Sequence, residues 1–215
     1  MRKFLFLMIS AMFALSFISC SKCKNDAKDA EKQDTTAVVD STAGMVVERV
    51  TATDREYMFT NYGGDYRWFE SCIVLKNFLD EENDGEITGI SNVFQVVEEK
   101  EKGADTFVIL AAHVADSTAY EVKHGFWVED YPMNDEDIKV TFAQAFEKLN
   151  QVNLPKPHSK QCVLRKQVGP KACNPQYIFG NVKAQIYVDA ITGDVTDVNP
   201  AFGDIKLETP LGEWP

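Results

Sequence analysis

Tyr120-Glu121-Val122-Lys123-His124-Gly125-Phe126-Trp127-Val128 sets Tyr, Val, His, Phe and Val against Glu, Lys, Gly and Trp at a strict period of two. Alternation of that kind predicts a strand with one buried and one wet face, and it leaves Trp127 on the wet side. Working backwards, three more strands precede it, at about Tyr66–Leu79, Ile90–Glu98 and Asp105–Val114. They are separated by Asn83-Asp84-Gly85, by the charged turn Lys100–Gly103 and by Asp116-Ser117-Thr118, all residues with turn chemistry. Further upstream, Thr53-Asp54-Arg55-Glu56 has the spacing of a capping box, which predicts a short helix through Tyr57, Met58, Phe59 and Tyr62 that stops at Gly63-Gly64.

Downstream, an acidic connector from Glu129 to Lys139 carries Tyr131 and Pro132. Thr141-Phe142-Ala143-Gln144 repeats the capping logic, and Phe142, Ala145, Phe146 and Leu149 share one helix face, with Pro155-Lys156-Pro157 ending the helix. Four shorter strands follow, at Lys160–Val168, Gln176–Phe179, Lys183–Ala190 and Asp194–Val198. Helix plus four strands thus occurs twice. The capping Thr residues are 88 positions apart, and Cys72-Ile-Val-Leu-Lys76 aligns with Cys162-Val-Leu-Arg-Lys166 at a spacing of 90, which reads as a duplication. The expected fold is α+β, with two helix-plus-four-stranded antiparallel units, 44–134 and 135–215, lying side by side or continuing into one long sheet.

The chain opens as a three-part secretory signal: Arg2 and Lys3, the apolar run Phe4–Ile18, then small Ser19 before Cys20. As a helix that run spans roughly 22 Å, short of a hydrocarbon core of about 30 Å. Ser19-Cys20 resembles the lipobox of bacterial lipoproteins, although Phe17 stands where that pattern prefers an aliphatic residue. The resemblance implies removal of residues 1–19, acyl chains on Cys20 and attachment to the envelope, with the outer membrane, periplasmic or surface-exposed, as the expected site. An ordinary secretory signal is the alternative. Ser21–Ala43 contains no aromatic residue and only Val38 and Val39 as large aliphatics, so it reads as a disordered tether reaching on the order of 25 Å.

The formal charge of the chain is −11, and loss of residues 1–19 with Arg2, Lys3 and no acid takes it to −13. Such acidity excludes nucleic acid as a partner, because binding phosphates requires clustered Lys and Arg. Besides Cys20 there are Cys23 in the tether, Cys72, Cys162 and Cys173. Cys162 and Cys173 are the candidate disulfide, with buried free thiols as the alternative.

Ile186-Tyr-Val-Asp-Ala-Ile-Thr-Gly-Asp-Val195 resembles the VDA-x-TG-(E/D)-V ending of PepSY and PepSY-like domains. Physically, Asp189 can accept backbone N–H groups in the turn, Gly193 allows positive φ, and Val195 starts the return strand. The resemblance covers about Thr141–Val198, and the tandem arrangement is similar to that of the β-lactamase inhibitor protein. It implies an extracytoplasmic binding or inhibitory module, with a peptidase as one class of partner, and no catalytic residues of its own.

The remaining chemistry is thin. Asp80–Ile87 follows the start of an EF-hand loop, but Ser91 occupies the position of the closing Glu, so an acidic turn is the reading and no metal is expected. His113 and His124 could face one another across adjacent strands without a third ligand, and His158 and Cys162 lie some 13 Å apart on an extended chain. No cofactor motif occurs. Tyr66, Trp68, Trp127 and Tyr131 are the aromatics that strand phase or loop position could leave outside as a protein-binding patch. The expected function is therefore a non-enzymatic, lipid-anchored protein-binding or inhibitory module; the alternative is a small-ligand or carbohydrate-binding lipoprotein.

Overall fold

The first helix begins six residues before the Thr53 signal. The computed structural model describes residues 45–100 and 103–203, so Cys20, Cys23, the stretches read as signal and tether, and the end of the chain lie outside the described residues. Helix α1 spans Val47–Tyr62, with Val46 at its N-cap and no side-chain cap. Thr53 is an interior residue whose hydroxyl donates to the Arg49 carbonyl at 3.0 Å, one turn back, so Thr53-Asp54-Arg55-Glu56 is not a start. The end is as read: Gly63 takes φ of 66° and its N–H bonds the Phe59 carbonyl. Helix α2 spans Phe142–Gln151. Here the capping box is real, with Thr141 accepting from the Gln144 N–H and Gln144 accepting from the Thr141 N–H. Glu48 of α1 also accepts from the Phe142 N–H at 2.7 Å, so the first turn of one helix caps the start of the other.

The strands are β1 (Tyr66–Leu75), β2 (Ile87–Lys100), β3 (Gly103–Val114), β4 (Ser117–His124), β5 (Asp130–Tyr131), β6 (Gln161–Gln167), β7 (Gln176–Asn181), β8 (Ala184–Asp189) and β9 (Val195–Thr196). They form a nine-stranded antiparallel sheet in the order β4-β3-β2-β1-β6-β7-β8-β9, with short β5 on β6. The fold is α+β. Pairing of β1 with β6 joins the two helix-plus-strand runs in one sheet.

A duplicated two-unit arrangement is not shown, and both alignments that motivated it fail. Thr53 and Thr141 occupy different places in their helices. Ile73, not Cys72, is paired with Cys162 across the β1–β6 junction, and Cys162 faces the helices whereas Cys72 faces the other way, beside Glu70. A spacing of 90 therefore superposes side chains from opposite faces, because a one-residue slip in a strand reverses every side chain.

The helices cover one face. Phe142, Ala145, Phe146 and Leu149 of α2 are all buried, in a cluster with Tyr177, Phe179, Ile186 and Val188. The buried stripe of α1 is Val47, Thr51, Asp54 and Met58, with two polar members. β4 departs from the reading of Tyr120–Val128. It ends at His124, only Tyr120 is half-buried, and Phe126 and Val128 are 71% and 77% exposed. It is an edge strand that the helix layer reaches where Tyr57 stacks on Tyr120, rings 3.7 Å apart, and beyond it the alternation is left exposed, with His124 resting only on Phe107 of the neighbouring strand.

The turn after β8 forms as its residues dictate. Asp189 accepts from the Ile191 and Thr192 N–H groups at 2.8 and 2.9 Å, and Gly193 takes φ of 76°. Cys162 and Cys173 are not bonded: both are free thiols, Cys162 buried within β6 and Cys173 in the following loop near the Gln167 carbonyl.

Candidate functional site

Where α1 ends, the Gly63-Gly64 turn, the start of β1 and the segment Pro132–Asn134 enclose an open groove of about 330 Å³. Phe59 and Arg55 come from the last turns of α1, Tyr66, Arg67 and Trp68 from β1, and Pro132 and Met133 from the crossover, which is tied down where the Met133 N–H bonds the Trp68 carbonyl at 2.8 Å. Phe59 is 64% exposed because it lies off the buried stripe of α1. Tyr66 is half-buried, edge-on to Phe94, with ring centres 5.9 Å apart. Arg55 pairs with Asp135. Arg67 is exposed and makes no ion pair with any described residue, so the groove combines apolar rings with a free guanidinium in a strongly acidic chain.

Of the four aromatics singled out from the sequence, Tyr66 and Trp68 line this groove, and Trp68 is otherwise core, at 4% exposure. Trp127 and Tyr131 do not join them. Trp127 is half-buried, its ring N–H donating to Asp130 at 3.0 Å, and Tyr131 is exposed on β5 opposite Lys166. Phe59, Arg67 and the Pro132–Asn134 wall escaped sequence reading. The signal that finds Phe59 is its phase relative to Val47, Thr51, Asp54 and Met58, which requires the true start of α1.

A second constellation lies under α1. Asp54 is fully buried and accepts from Asn92 Nδ2 at 2.7 Å, Tyr120 Oη at 3.0 Å and His113 Nε2 at 2.8 Å. A carboxylate only accepts, so Nε2 donates to Asp54, and the other ring nitrogen, Nδ1, shares a hydrogen bond of 3.0 Å with Thr118 Oγ1. Asn92 Oδ1 accepts in turn from Thr51 and Ser71. Burial, with Asp54 alongside, pushes the Tyr120 hydroxyl well above its ordinary range. Thr118, His113 and Asp54 have the connectivity of a nucleophile, base and orienting acid. Thr118 and His113 are five residues apart across the β3–β4 turn, but Asp54 lies 59 positions before His113, so the pattern has no signature in the sequence. None of the groove-lining residues belongs to it, and what it does in the fold is fasten α1 to β2, β3 and β4. His113 and His124 do not meet: His124 lies at the other end of the hairpin, 3.5 Å from Asp105.

On the face away from the helices, Arg165 of β6 donates through Nε to Asp130 at 2.5 Å and pairs with Glu70 at 3.5 Å. Burial raises both carboxyls above their ordinary values, against the opposing pull of Arg165. Burial and the neighbouring Glu70 likewise push the Cys72 thiol up, and burial raises that of Cys162, so neither is a ready nucleophile. His158 stacks on Phe78 and bonds Asp80 at 3.0 Å rather than approaching Cys162. Asp80–Gly85 is a turn closed by Asn83 on the Asn77 carbonyl. Among the described residues no group of three or more His, Cys, Asp and Glu could hold a metal ion, and no helix is long and apolar enough to cross a membrane. No protein-family model matches the chain, and neither does a curated protein or a solved structure.

Proposed function

We propose that this protein is an envelope lipoprotein, anchored through acyl chains on Cys20, whose body is a non-enzymatic, PepSY-like protein-binding or inhibitory module acting through the groove between α1 and β1. The observation that carries the reading is the meeting in one open groove of exposed Phe59, half-buried Tyr66 and exposed Arg67, which has no ion-pair partner among the described residues. Aromatic and Arg side chains at the centre of a contact supply most of its energy. A segment that places an apolar side chain on Phe59 and a carboxylate opposite Arg67 fits it, and an envelope peptidase is the class of partner that the PepSY resemblance adds.

Affinity purification from solubilised membranes tests this. The full chain recovers a protein partner, and Arg67→Glu and Phe59→Ser each cut the recovery at least about tenfold, as loss of a central contact should. Recovery of no partner, or equal recovery by all three proteins, overturns the groove reading. The anchor is tested separately: Cys20→Ala should move the protein from the membrane to the soluble fraction, and retention in the membrane removes that part.

A second reading, small-ligand or carbohydrate binding, is favoured by the groove volume of about 330 Å³, within the range of small-molecule pockets, and by the rings of Tyr66 and Phe59 in its wall. A saccharide or metabolite that raises the melting temperature of the intact protein, and fails to do so in Phe59→Ser, would replace the first reading with this one.

A further inference from the structure

The sheet has two edges, β4 and β9. β9 is two residues long, whereas β4 runs for eight, and all its side chains except Tyr120 are exposed. Among the described residues no strand pairs with the outer side of β4. The aim of its backbone groups follows from the hairpin. The Gly125 N–H bonds the Thr106 carbonyl at 3.0 Å, and the register continues Lys123–Val108, Glu121–Leu110, Ala119–Ala112 and Ser117–Val114. Bonded and non-bonded pairs alternate along an antiparallel ladder. Thr118, Tyr120, Val122 and His124 therefore point their N–H and C=O groups outward, which makes this edge a template for another strand.

We propose that the strand it takes is β4 of a second copy of this chain, paired antiparallel about a twofold axis at Val122. A twofold axis perpendicular to the sheet keeps every side chain on its own face. In that register Val122 opposes itself, Tyr120 opposes His124 of the second copy, and Glu121 opposes Lys123 of the second copy, with the reciprocal pair on the other side of the axis. The two Glu–Lys pairs fall at the non-hydrogen-bonded positions, where facing side chains come closest. Within one copy Lys123 and Glu121 already lie 3.2 Å apart, so pairing builds a neutral four-charge cluster over the junction. Val122, 51% exposed in one copy, is covered by its twin.

Neighbouring registers lose this match. An axis at Glu121 sets Glu121 against itself, and an axis at Tyr120 sets Glu121 against Ala119 and Lys123 against Ser117. Self-complementarity of charge in a single ladder-compatible register is the signature of an isologous contact, and an unrelated strand would have no need of it. The balanced edge adds no like-charge pair at the junction, where two acidic chains meet.

The test uses two full-length copies with different affinity tags, co-expressed, extracted in detergent and pulled down through one tag. Wild-type copies should co-purify. When both copies carry Glu121→Lys, or both carry Lys123→Glu, the second tag should fall at least about tenfold, because two attractive pairs become repulsive. Mixing one Glu121→Lys copy with one Lys123→Glu copy should restore it, since opposite charges face each other again. Both positions are exposed, and an unchanged melting temperature shows that the variants fold. Wild-type copies that do not co-purify, charge variants that co-purify as wild type does, or a mixed pair that stays apart overturns the proposal, as does an unrelated protein found on this edge in place of the second tag. Phe59→Ser and Arg67→Glu should leave co-purification unchanged, so the groove and the edge are judged independently.

Discussion

The two helices lie on the same face of the same sheet and are held there by different physics. α2 presents Phe142, Ala145, Phe146 and Leu149 to Tyr177, Phe179, Ile186 and Val188, with only the Tyr177 hydroxyl polar among them, bonded to the Val140 carbonyl at 2.9 Å. α1 presents Val47, Thr51, Asp54 and Met58, and the middle of that stripe meets Asn92, His113 and Tyr120 through hydrogen bonds, with Ser71 bonded in turn to Asn92. The contact of α2 is non-directional and grows with apolar area. That of α1 is directional, and its strength lies in being complete, because a buried polar group left without a partner loses its full solvation. A closed polar network also has one correct register, so α1 is located more narrowly than apolar packing alone would require.

Substitutions that break each contact separate the two modes. The largest loss is expected for Asp54→Ala, which strands His113, Asn92 and Tyr120 together and should cost about 4 kcal/mol in urea denaturation. A loss below about 1 kcal/mol would mean that water or rearrangement replaces Asp54 and that α1 is held by its apolar ends. Leu149→Ala, which leaves a cavity under α2, should cost about 3 kcal/mol by the same measurement, and a loss near zero would show that α2 settles inward and is not close-packed. The smallest effects come from the two Thr-initiated motifs. Thr141→Ala should cost about 1 kcal/mol, while Thr53→Ala should stay within about 0.5 kcal/mol, since only Thr141 caps a helix. Equal losses would reverse the account of where α1 begins.

The same contrast explains what could be read in advance. α2, its cap and its four core residues were legible because apolar periodicity reports burial directly, and the turn at Asp189-Ala-Ile-Thr-Gly193 was legible because its bonds are local. Most strand positions were legible for the same reason, as β-rich runs bounded by turn residues. The start of α1 is hidden from the sequence because half of its buried stripe is polar, and Asp54 seen alone looks like a surface residue or part of a cap. The end of β4 at His124 is likewise hidden, because alternation gives the phase of a strand but not whether a layer lies over it. Cys162 and Cys173 are near in sequence and could have been bridged; the strand holds one inward and the loop carries the other away.

For the candidate site the division is sharper. Strand phase marks Tyr66 and Trp68 as aromatics that could lie outside, but the groove needs Phe59 from a helix end and Pro132–Asn134 from a crossover, and only packing brings those together. The order of elements, the α+β class, the acidic balance and the turn chemistry follow from the amino-acid sequence alone, because they depend on local preference and composition. That the two runs share one sheet through β1 and β6, that Asp54 finds His113, and that no described strand covers the outer side of β4 were decided by the tertiary structure. Each is a long-range pairing, set by which faces could be covered and which backbone groups remained to be bonded.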